Sequence, residues 1–197
     1  MTKSNSQREV YRGLRGVYFD RSLTSDIDGE AGELRYRGYS IHELAMHSSF
    51  EEIAYLLLQG ELPTADQLNG FDAELKAARQ LPPAMIDVIV AVKEAHPMDV
   101  LRTAVSALSA FDPERGDNSS EPVFRRATRL MAHVPLVVAT HHHLRHCRDP
   151  MSVDLTMGHA AHFLYSITGE KPSICLLYTL RAHETRHDIV CRLLLEK

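Results

Sequence analysis

Residues 49–64, SFEEIAYLLLQGELPT, decide the fold class of this chain. Ser49 and Glu52 have the spacing of a capping box, in which the hydroxyl accepts the amide N–H three residues on and the carboxylate reaches back. Gly60 then supplies a helix stop, because glycine adopts the left-handed conformation without penalty. One apolar helical face lies between these signals, formed by Ile53, Leu56 and Leu57. The stretch predicts a complete, short α-helix.

The same signals recur on both sides of this helix. Ser40 is placed to cap a short helix that runs through about His47. Thr64 and Gln67 form a second capping box. Apolar residues follow that box at helical spacing, namely Leu68, Phe71, Leu75 and Ala78. Successive capped helices without intervening strand patterns predict an all-α chain from residue 40 onward.

Proline residues divide the next part of the chain. Pro82 and Pro83 end one helix and begin the next, whose residues 85–92 are apolar nearly all round. Such a helix must be buried on most sides, in a core or in a subunit interface. A further helix begins at His96 and Pro97. Its predicted apolar stripe consists of Met98, Leu101, Val105 and Leu108.

Residues 112–122, DPERGDNSSEP, predict an exposed and mobile loop. A long helix is expected over about 123–146, kinked at Pro135. Ser152 or Asp154 is expected to cap another helix that ends near Thr168–Gly169. Ser173, after Pro172, is expected to open a last helix to the C-terminus.

The first 37 residues do not show the helical pattern that begins at residue 40. Residues 1–12 are expected to be a loose arm, and 14–37 a small β element with a strand candidate at 17–19. Two extended stretches, 26–29 and 34–36, flank a turn built on Asp28-Gly29, in which Gly29 is expected to take a positive φ. The predicted fold class is mainly α with a small N-terminal β-hairpin.

Composition excludes several classes. The chain has 197 residues, of which 44% are hydrophobic, and it suits one globular domain with a sizeable core. A net charge of −4 argues against a nucleic-acid partner. No apolar run approaches the ~20 residues that cross a bilayer, so no membrane partner is expected. Three scattered cysteines and a polar N-terminus without a signal-peptide pattern favour a cytoplasmic location.

Four ordered blocks carry a family resemblance. The first is residues 13–38, GLRGVYFDRSLTSDIDGEAGELRYRG. The second spans 38–64 and contains GYSI, FEE, AYLLL and GELPT. The third is 95–113, AHPMDVLRTAVSALSAFDP, and the fourth is 161–173, with AHFLY and TGEKPS. In order and spacing, these blocks resemble bacterial citrate synthases and 2-methylcitrate synthases over about 11–173.

The resemblance implies an acyltransferase of the tricarboxylic acid or methylcitrate cycle that condenses an acyl-CoA with oxaloacetate. In this family a carboxylate base removes a proton, histidine stabilises the enolate, and arginines hold oxaloacetate. Its members are helical dimers or higher oligomers with a large and a small domain, and they need no metal or other cofactor. A homodimer through the helices at about 81–92 and 97–111 is expected.

The chain also departs from the family. Neither an HADH-like helix end nor a GPLHGG-like loop is present, so no catalytic, cofactor-binding or metal-binding residue is assigned. Residues 1–173 are predicted to be the N-terminal part of the large domain and 174–197 a divergent helical tail, with the small domain absent. The hypothesis is a truncated product of a shifted reading frame or gene decay, inactive alone. Acyl-CoA and oxaloacetate would bind only if the missing half were supplied. The alternative is a non-catalytic helical dimerisation module.

A third hypothesis is a zinc hydrolase. His183, Glu184 and His187 satisfy HExxH, in which two histidines one turn apart bind zinc and the glutamate activates water. Cys191 lies four residues after the second histidine. The third ligand of a metzincin is missing, and twelve histidines make chance matches common. A solvated helix face is the favoured interpretation.

Several histidines elsewhere in the chain are candidate metal or substrate ligands. His142 and His146 share a helical face on which a metal ion can bridge them, within a cluster that includes His141, His143 and Cys147. The favoured interpretation is a polar helix end that suits the dipole. His96 is interpreted as a structural cap rather than a substrate-orienting group. His159 and His162 are interpreted as partly buried, hydrogen-bonded core histidines.

Charged residues of the hairpin receive structural interpretations. Asp26, Asp28 and Glu30 are explained by the turn rather than by acid–base catalysis. Arg35 and Arg37 are expected in ion pairs rather than as an anion site. No GxxxxGK, GxGxxG or GxSxG motif is present, so nucleotide and serine-hydrolase functions have no support.

Overall fold

A computed structural model describes residues 22–173 of the chain. These residues form a small antiparallel sheet followed by α-helices, which confirms the predicted fold class. The strands are β1 (Ser25–Asp28), β2 (Glu33–Tyr36) and β3 (Tyr39–Ser40). The helices are α1 (Ile41–His47), α2 (Phe50–Gln59), α3 (Ala65–Ala77), α4 (Pro83–Ala91), α5 (Pro97–Leu108), α6 (Ser120–Arg145) and α7 (His159–Thr168), with a 3₁₀ turn at Ser109–Phe111. The strand candidate at 17–19 and the helix expected after Ser173 lie outside the described residues.

The sheet has the order β1-β2-β3 and pairs Asp28 with Glu33 across its first turn. That register leaves four residues in the loop. The left-handed residue is Gly32, with φ +69°, so the expectation of a positive φ at Gly29 was wrong. The Asp28 side chain organises the loop instead, since its Oδ1 accepts the N–H of Glu30 at 3.0 Å and that of Ala31 at 2.9 Å.

The third strand, β3, was not predicted; it is only two residues long and pairs Tyr39 with Tyr36. Arg37 and Gly38 both take positive φ, +48° and +89°, which turns the chain tightly enough for β3 to return along β2. Strand β3 leads directly into α1, whose first turn is capped by Ser40 accepting the N–H of His42 at 3.3 Å.

The predicted caps of α2 and α3 are confirmed. Ser49 and Glu52 exchange both capping-box hydrogen bonds, at 3.2 and 2.6 Å. Gly60 ends α2 in the left-handed conformation, with φ +95°. Thr64 and Gln67 form the second reciprocal box. These local interactions fix where α2 and α3 begin without help from tertiary packing.

The main hydrophobic core lies between α4, α5 and α6. Its fully buried members are Met85, Ile89, Val100, Ala104, Leu108 and Val137. The buried stripe of α5 is therefore Val100, Ala104 and Leu108, at intervals of four residues. The predicted stripe is correct in part: Leu108 is buried and Leu101 packs against this core, whereas Val105 is only partly buried and Met98 is 63% exposed. The α5 helix has two apolar faces, and the core takes only one of them.

Three aromatic rings pack a second contact between α2, α3 and α6. Tyr55 meets Phe71 and Phe124 edge-on, with ring centroids 5.6 and 6.1 Å apart. Helix α6 itself runs from Ser120 to Arg145 and continues across Pro135. It therefore begins three residues before the predicted start and forms the central helix of the described part.

The loop before α6 is largely exposed, as predicted, and it is tied to α6 by ion pairs that the sequence did not indicate. Asp112, whose side chain is 9% exposed, pairs with Arg129 at 2.8 Å and with Arg126 at 3.1 Å. Glu114 pairs with Arg129 at 2.8 Å and also with Arg125. Two acidic side chains of the loop thus form ion pairs with arginines that lie within one helical turn of each other on α6. The loop sequence alone does not indicate these pairs, because the arginines come later in the chain.

Helix α7 begins later than predicted. Its N-cap is Gly158, and neither Ser152 nor Asp154 caps it. The Asp154 side chain instead accepts the N–H and the hydroxyl of Thr156, at 2.9 and 2.6 Å, which closes a local turn. The predicted C-terminal end is confirmed, because Gly169 takes φ +78° directly after Thr168.

Candidate functional site

The histidine-rich end of α6 divides into two inward and two outward side chains. His141 is buried and its Nε2 lies 3.0 Å from the carbonyl oxygen of Lys93, after α4. His143 is buried and its Nε2 lies 2.8 Å from the carbonyl oxygen of Ser166, in α7. These two histidines join α6 to its neighbours, so they are structural connections rather than a polar helix end.

The outward pair is His142 and His146. Their ring centroids are 4.6 Å apart, and Nδ1 of His146 lies 2.7 Å from the carbonyl oxygen of His142. Cys147, the next residue, carries an exposed free thiol. Between residues 22 and 173 no group of three or more His, Cys, Asp or Glu side chains is placed to hold a metal ion.

His96 caps α5, as the sequence predicted. Its Nδ1 accepts the N–H of Met98 at 3.3 Å, directly before Pro97 in the first turn. A ring nitrogen that accepts this hydrogen bond must be unprotonated, so the cap requires neutral His96. The side chain has a structural role that accounts for it.

The charged residues of the hairpin serve the sheet and its neighbours. The two N–H donors, Ala31 first and Glu30 second, lower the pKa of Asp28, which is a turn group rather than an acid–base catalyst. Arg35 pairs with Glu33 at 2.8 Å, as expected. Arg37 has no ion pair with any residue in the described range 22–173. Its guanidinium donates to the carbonyl of Leu57, at 3.0 Å, and so ties the sheet to the end of α2.

A buried polar cluster lies where α2 and α3 meet the start of α7. Arg79 is 2% exposed, and its Nη1 donates to the carbonyl of Met157 at 2.7 Å. Glu51 accepts the backbone N–H of His159 at 2.8 Å. Thus a side chain from α2 and another from the end of α3 hold the first turn of α7, which has no side-chain cap of its own.

The two histidines of this cluster correct the sequence-based interpretation. His159 and His162 are buried, but Nδ1 of the first and Nε2 of the second have no hydrogen-bond partner within the described residues. The His159 ring stacks on Phe50, with centroids 4.8 Å apart and planes 7° from parallel. Burial, followed by the nearby Arg79 charge, lowers the pKa of His159 from 6.5 to about 4 and also lowers that of His162. Both rings are therefore neutral near pH 7.

Sequence reasoning missed Arg79 and Glu51. Arg79 follows the amphipathic helix α3 and reads as an ordinary surface cation, while Glu51 reads as a first-turn acidic residue of α2. Their partners lie 78 and 108 residues away in the chain. A pattern of local spacing contains no information about contacts of that range.

A surface of α4 and α5, here called the α4–α5 face, leaves apolar side chains uncovered. It comprises Ile86, Val90 and Met98, which are 36, 44 and 63% exposed. Ile86 and Val90 are one turn apart on α4, on the side of the helix next to the buried Met85 and Ile89. The prediction that residues 85–92 are buried on most sides holds for one side of this helix, and an apolar second side remains available.

Two further predictions concern the zinc-binding motif and membrane-spanning helices. The HExxH residues His183, Glu184 and His187, together with Cys191, lie outside the described residues, and the zinc hypothesis stays a prediction. Within residues 22–173, none of the helices combines the length and apolar character needed to cross a membrane.

Comparison with known proteins places this fold. The family model described as citrate synthase, C-terminal domain, matches residues 13–183. A citrate synthase of Haloferax volcanii is 42% identical over 177 residues, which cover 87% of this chain and 46% of that protein. A 2-methylcitrate synthase of Mycobacterium tuberculosis is 35% identical over 170 residues, covering 86% and 43%. The chain thus spans about half the length of the relatives it matches.

A solved structure agrees with these sequence matches. The crystal structure of citrate synthase from Pyrobaculum aerophilum superposes with a TM-score of 0.82 at 36% identity. The superposition covers 90% of this chain and 48% of that one. The described helices and hairpin therefore have the arrangement found in about half of that protein.

Proposed function

Because the chain belongs to the citrate synthase family, we propose that it supplies part of the helical large domain of an enzyme that condenses an acyl-CoA with oxaloacetate. The proposed boundary places residues 1–173 in that domain and 174–197 in a divergent tail, and the family match continues ten residues into that tail, to 183. The observation that carries the proposal is the match of residues 13–183 to the family at 42% identity to one member.

The chain is proposed to have no turnover alone. Its 197 residues contain neither the HADH-like nor the GPLHGG-like sequence expected around the family's catalytic histidines. Several polar side chains of residues 22–173 have structural roles: His96 caps α5, Asp28 holds a turn, and Arg79 binds a carbonyl. Acyl-CoA and oxaloacetate would be held once the remaining half of the enzyme is present.

A spectrophotometric CoA-release assay tests this proposal. The purified chain is incubated with oxaloacetate and acetyl-CoA or propionyl-CoA, and free thiol is measured with a chromogenic disulfide. No oxaloacetate-dependent release is expected, while a cooperative thermal transition in circular dichroism shows that the same sample is folded. Oxaloacetate-dependent release by the purified chain would refute the proposal.

A homodimer through α4 and α5 is the second part of the proposal. Ile86, Val90 and Met98 are supported as interface residues because they are apolar, exposed and carried by helices whose other faces form the core. Burying them against a second copy would remove apolar surface from water. The same surface supports the alternative function, a non-catalytic dimerisation module, and the two alternatives differ only in whether a catalytic half joins the chain.

A cytoplasmic location is proposed on cysteine chemistry. The chain has three cysteines, and the one in the described part, Cys147, is an exposed free thiol. Exposed free thiols persist in reducing compartments and are oxidised outside them.

A further inference from the structure

We propose that His142 and His146 bind one divalent transition-metal ion at the C-terminal end of α6, with water in the remaining coordination positions. The two residues are one helical turn apart, so their side chains lie on the same face. This pair is independent of the proposed family function, which requires no metal. The spacing of the two rings, the orientation of His146 and the surroundings of the pair support this site.

The spacing of the two rings is that of a chelating pair. At a metal–nitrogen distance of about 2.0–2.1 Å, each imidazole centroid lies about 3.2 Å from the ion. Two such rings have centroids about 4.5 Å apart when the ligands meet at a right angle, and about 5.2 Å apart in a tetrahedron. The centroids of His142 and His146 are 4.6 Å apart. This separation is short enough for one ion to reach both rings, and it lies closer to the right-angle value than to the tetrahedral one.

One ligand is already oriented. Nδ1 of His146 lies 2.7 Å from the carbonyl oxygen of His142, a distance at which Nδ1–H donates to that oxygen. The proton on Nδ1 leaves the Nε2 lone pair free, and the hydrogen bond fixes the plane of the ring. Metal-binding histidines usually have this outer-shell partner, which sets their tautomer and orientation.

The surroundings leave the pair accessible. His146 is exposed and His142 partly so. Burial is the largest cause that lowers the pKa of His142, followed by the nearby His146, His143, Arg148 and His141. The negative end of the α6 dipole favours a cation here, whereas Arg148 opposes one. His143 touches the His142 ring edge-on at 5.6 Å; its Nε2 is engaged by the Ser166 carbonyl, while its Nδ1 is buried and has no partner among the described residues.

These donors select a class of metal. Imidazole nitrogen suits Cu²⁺, Ni²⁺ and Zn²⁺, whereas Mg²⁺ and Ca²⁺ prefer oxygen ligands. With two protein ligands near a right angle, Cu²⁺ and Ni²⁺ are favoured over tetrahedral Zn²⁺. We use Ni²⁺ as the probe because thiols compete for it less than for copper.

Calorimetric titration of the full chain with NiCl₂ at pH 7.5 tests the site. The parent carries His183→Gln and His187→Gln, because those histidines have the same spacing and would bind independently. One ion per chain is expected. His142→Gln or His146→Gln should weaken binding by at least ~10-fold, the low end of the loss seen when even an outer-shell partner is removed. His42→Gln, an exposed histidine on α1, is the matched control and should bind as the parent does.

Thermal unfolding supplies a second readout. Because the ion binds only the folded helix end, Ni²⁺ at about 100 times its dissociation constant should raise the melting temperature of the parent by roughly 5 °C or more. The shift should vanish in His146→Gln, whose circular dichroism should otherwise match the parent. Unchanged affinity in either histidine variant would overturn the proposal. The proposal would also be overturned if the parent, which lacks His183 and His187, did not bind Ni²⁺. Complete loss of Ni²⁺ binding in a Cys147→Ser variant of that parent would have the same consequence.

Discussion

The carboxylate of Glu51 accepts the backbone N–H of His159 at 2.8 Å and so caps a helix that begins 108 residues further along the chain. Helix α7 has Gly158 at its N-cap and no side-chain cap of its own. The Glu51 side chain is therefore the group that satisfies the first N–H of α7. Together with Arg79 it determines where α7 docks on α2 and α3.

Removing the Glu51 carboxylate should destabilise the fold. Glu51→Ala leaves the N–H of His159 without its acceptor and removes a negative charge from the helix N-terminus. The expected loss is about 1–2 kcal/mol in the free energy of unfolding. Urea titration followed by circular dichroism measures it, with Glu61→Ala, an exposed glutamate beyond α2, as the control. Equal midpoints for the two variants would show that Glu51 does not hold α7.

Replacing Arg79 should cost more. Arg79→Ala removes a side chain that is 2% exposed, leaves a cavity and deprives the Met157 carbonyl of a donor 2.7 Å away. The expected loss is about 2–4 kcal/mol in the free energy of unfolding. Arg102→Ala is the control, since the Arg102 side chain is 81% exposed and its one ion pair among the described residues is with Asp99 on its own helix. That variant should stay within ~0.5 kcal/mol of the parent. An Arg79→Ala protein as stable as Arg102→Ala would contradict the structure.

Weakening the ion pairs that anchor the loop before α6 should increase hydrogen exchange in that loop. Asp112 is nearly buried and pairs with Arg126 and Arg129 of α6. Asp112→Asn removes the charge from both pairs and should lower the free energy of unfolding by about 1–3 kcal/mol. Amides at 114–119 should then exchange faster than in the parent, while amides of the core helix α5 change less. Asp87→Asn, on an exposed face of α4, should leave the loop unchanged. Unaltered loop exchange in Asp112→Asn would mean that these ion pairs do not anchor it.

Buried histidines should make stability depend on pH. The pKa of His159 is lowered from 6.5 to about 4 by burial, so between these values the unfolded chain binds a proton that the folded chain does not. Stability should therefore be full above about pH 6.5 and fall as the pH drops towards 4, by up to about 3 kcal/mol from His159. His162 and His133, whose pKa values are also lowered mainly by burial, act in the same direction.

Chemical denaturation at several pH values measures this dependence. His159→Phe keeps an aromatic ring against Phe50 and removes the titrating group, so its stability should vary less between pH 6.5 and 4 than that of the parent. An identical pH dependence for parent and variant would refute the assignment to His159.

The parts of this fold that were predictable are those fixed by neighbouring residues. Ser49 with Glu52, Thr64 with Gln67, His96 with Pro97, and Gly169 after Thr168 each define a helix end within a few residues, and all four are confirmed. Asp154 has the chemistry of a cap but is used by Thr156 in a closer turn. The start of α7 depends instead on Glu51, which local spacing cannot reveal.

The α5 helix shows a second limit. Its apolar residues occupy two faces, and periodicity alone does not say which face meets the core. Val100, Ala104 and Leu108 do so, while Met98 remains exposed. Likewise, nothing in the sequence separates the inward His141 and His143 from the outward His142 and His146. That division follows from where Lys93 and Ser166 lie around the end of α6.

The most direct test of the scaffold and of its dimerisation is sedimentation equilibrium. It compares the unmodified chain, here the parent, with two single glutamate variants. Val90 on α4 and Val123 on α6 are each 44% exposed, so Val90→Glu and Val123→Glu place equal charge on equally exposed sites. The α4–α5 face predicts a dimer for the parent and for Val123→Glu. It predicts dissociation of Val90→Glu, because pairing would bury an unpaired carboxylate. A monomeric parent, or a Val90→Glu dimer as tight as that of Val123→Glu, would contradict the account.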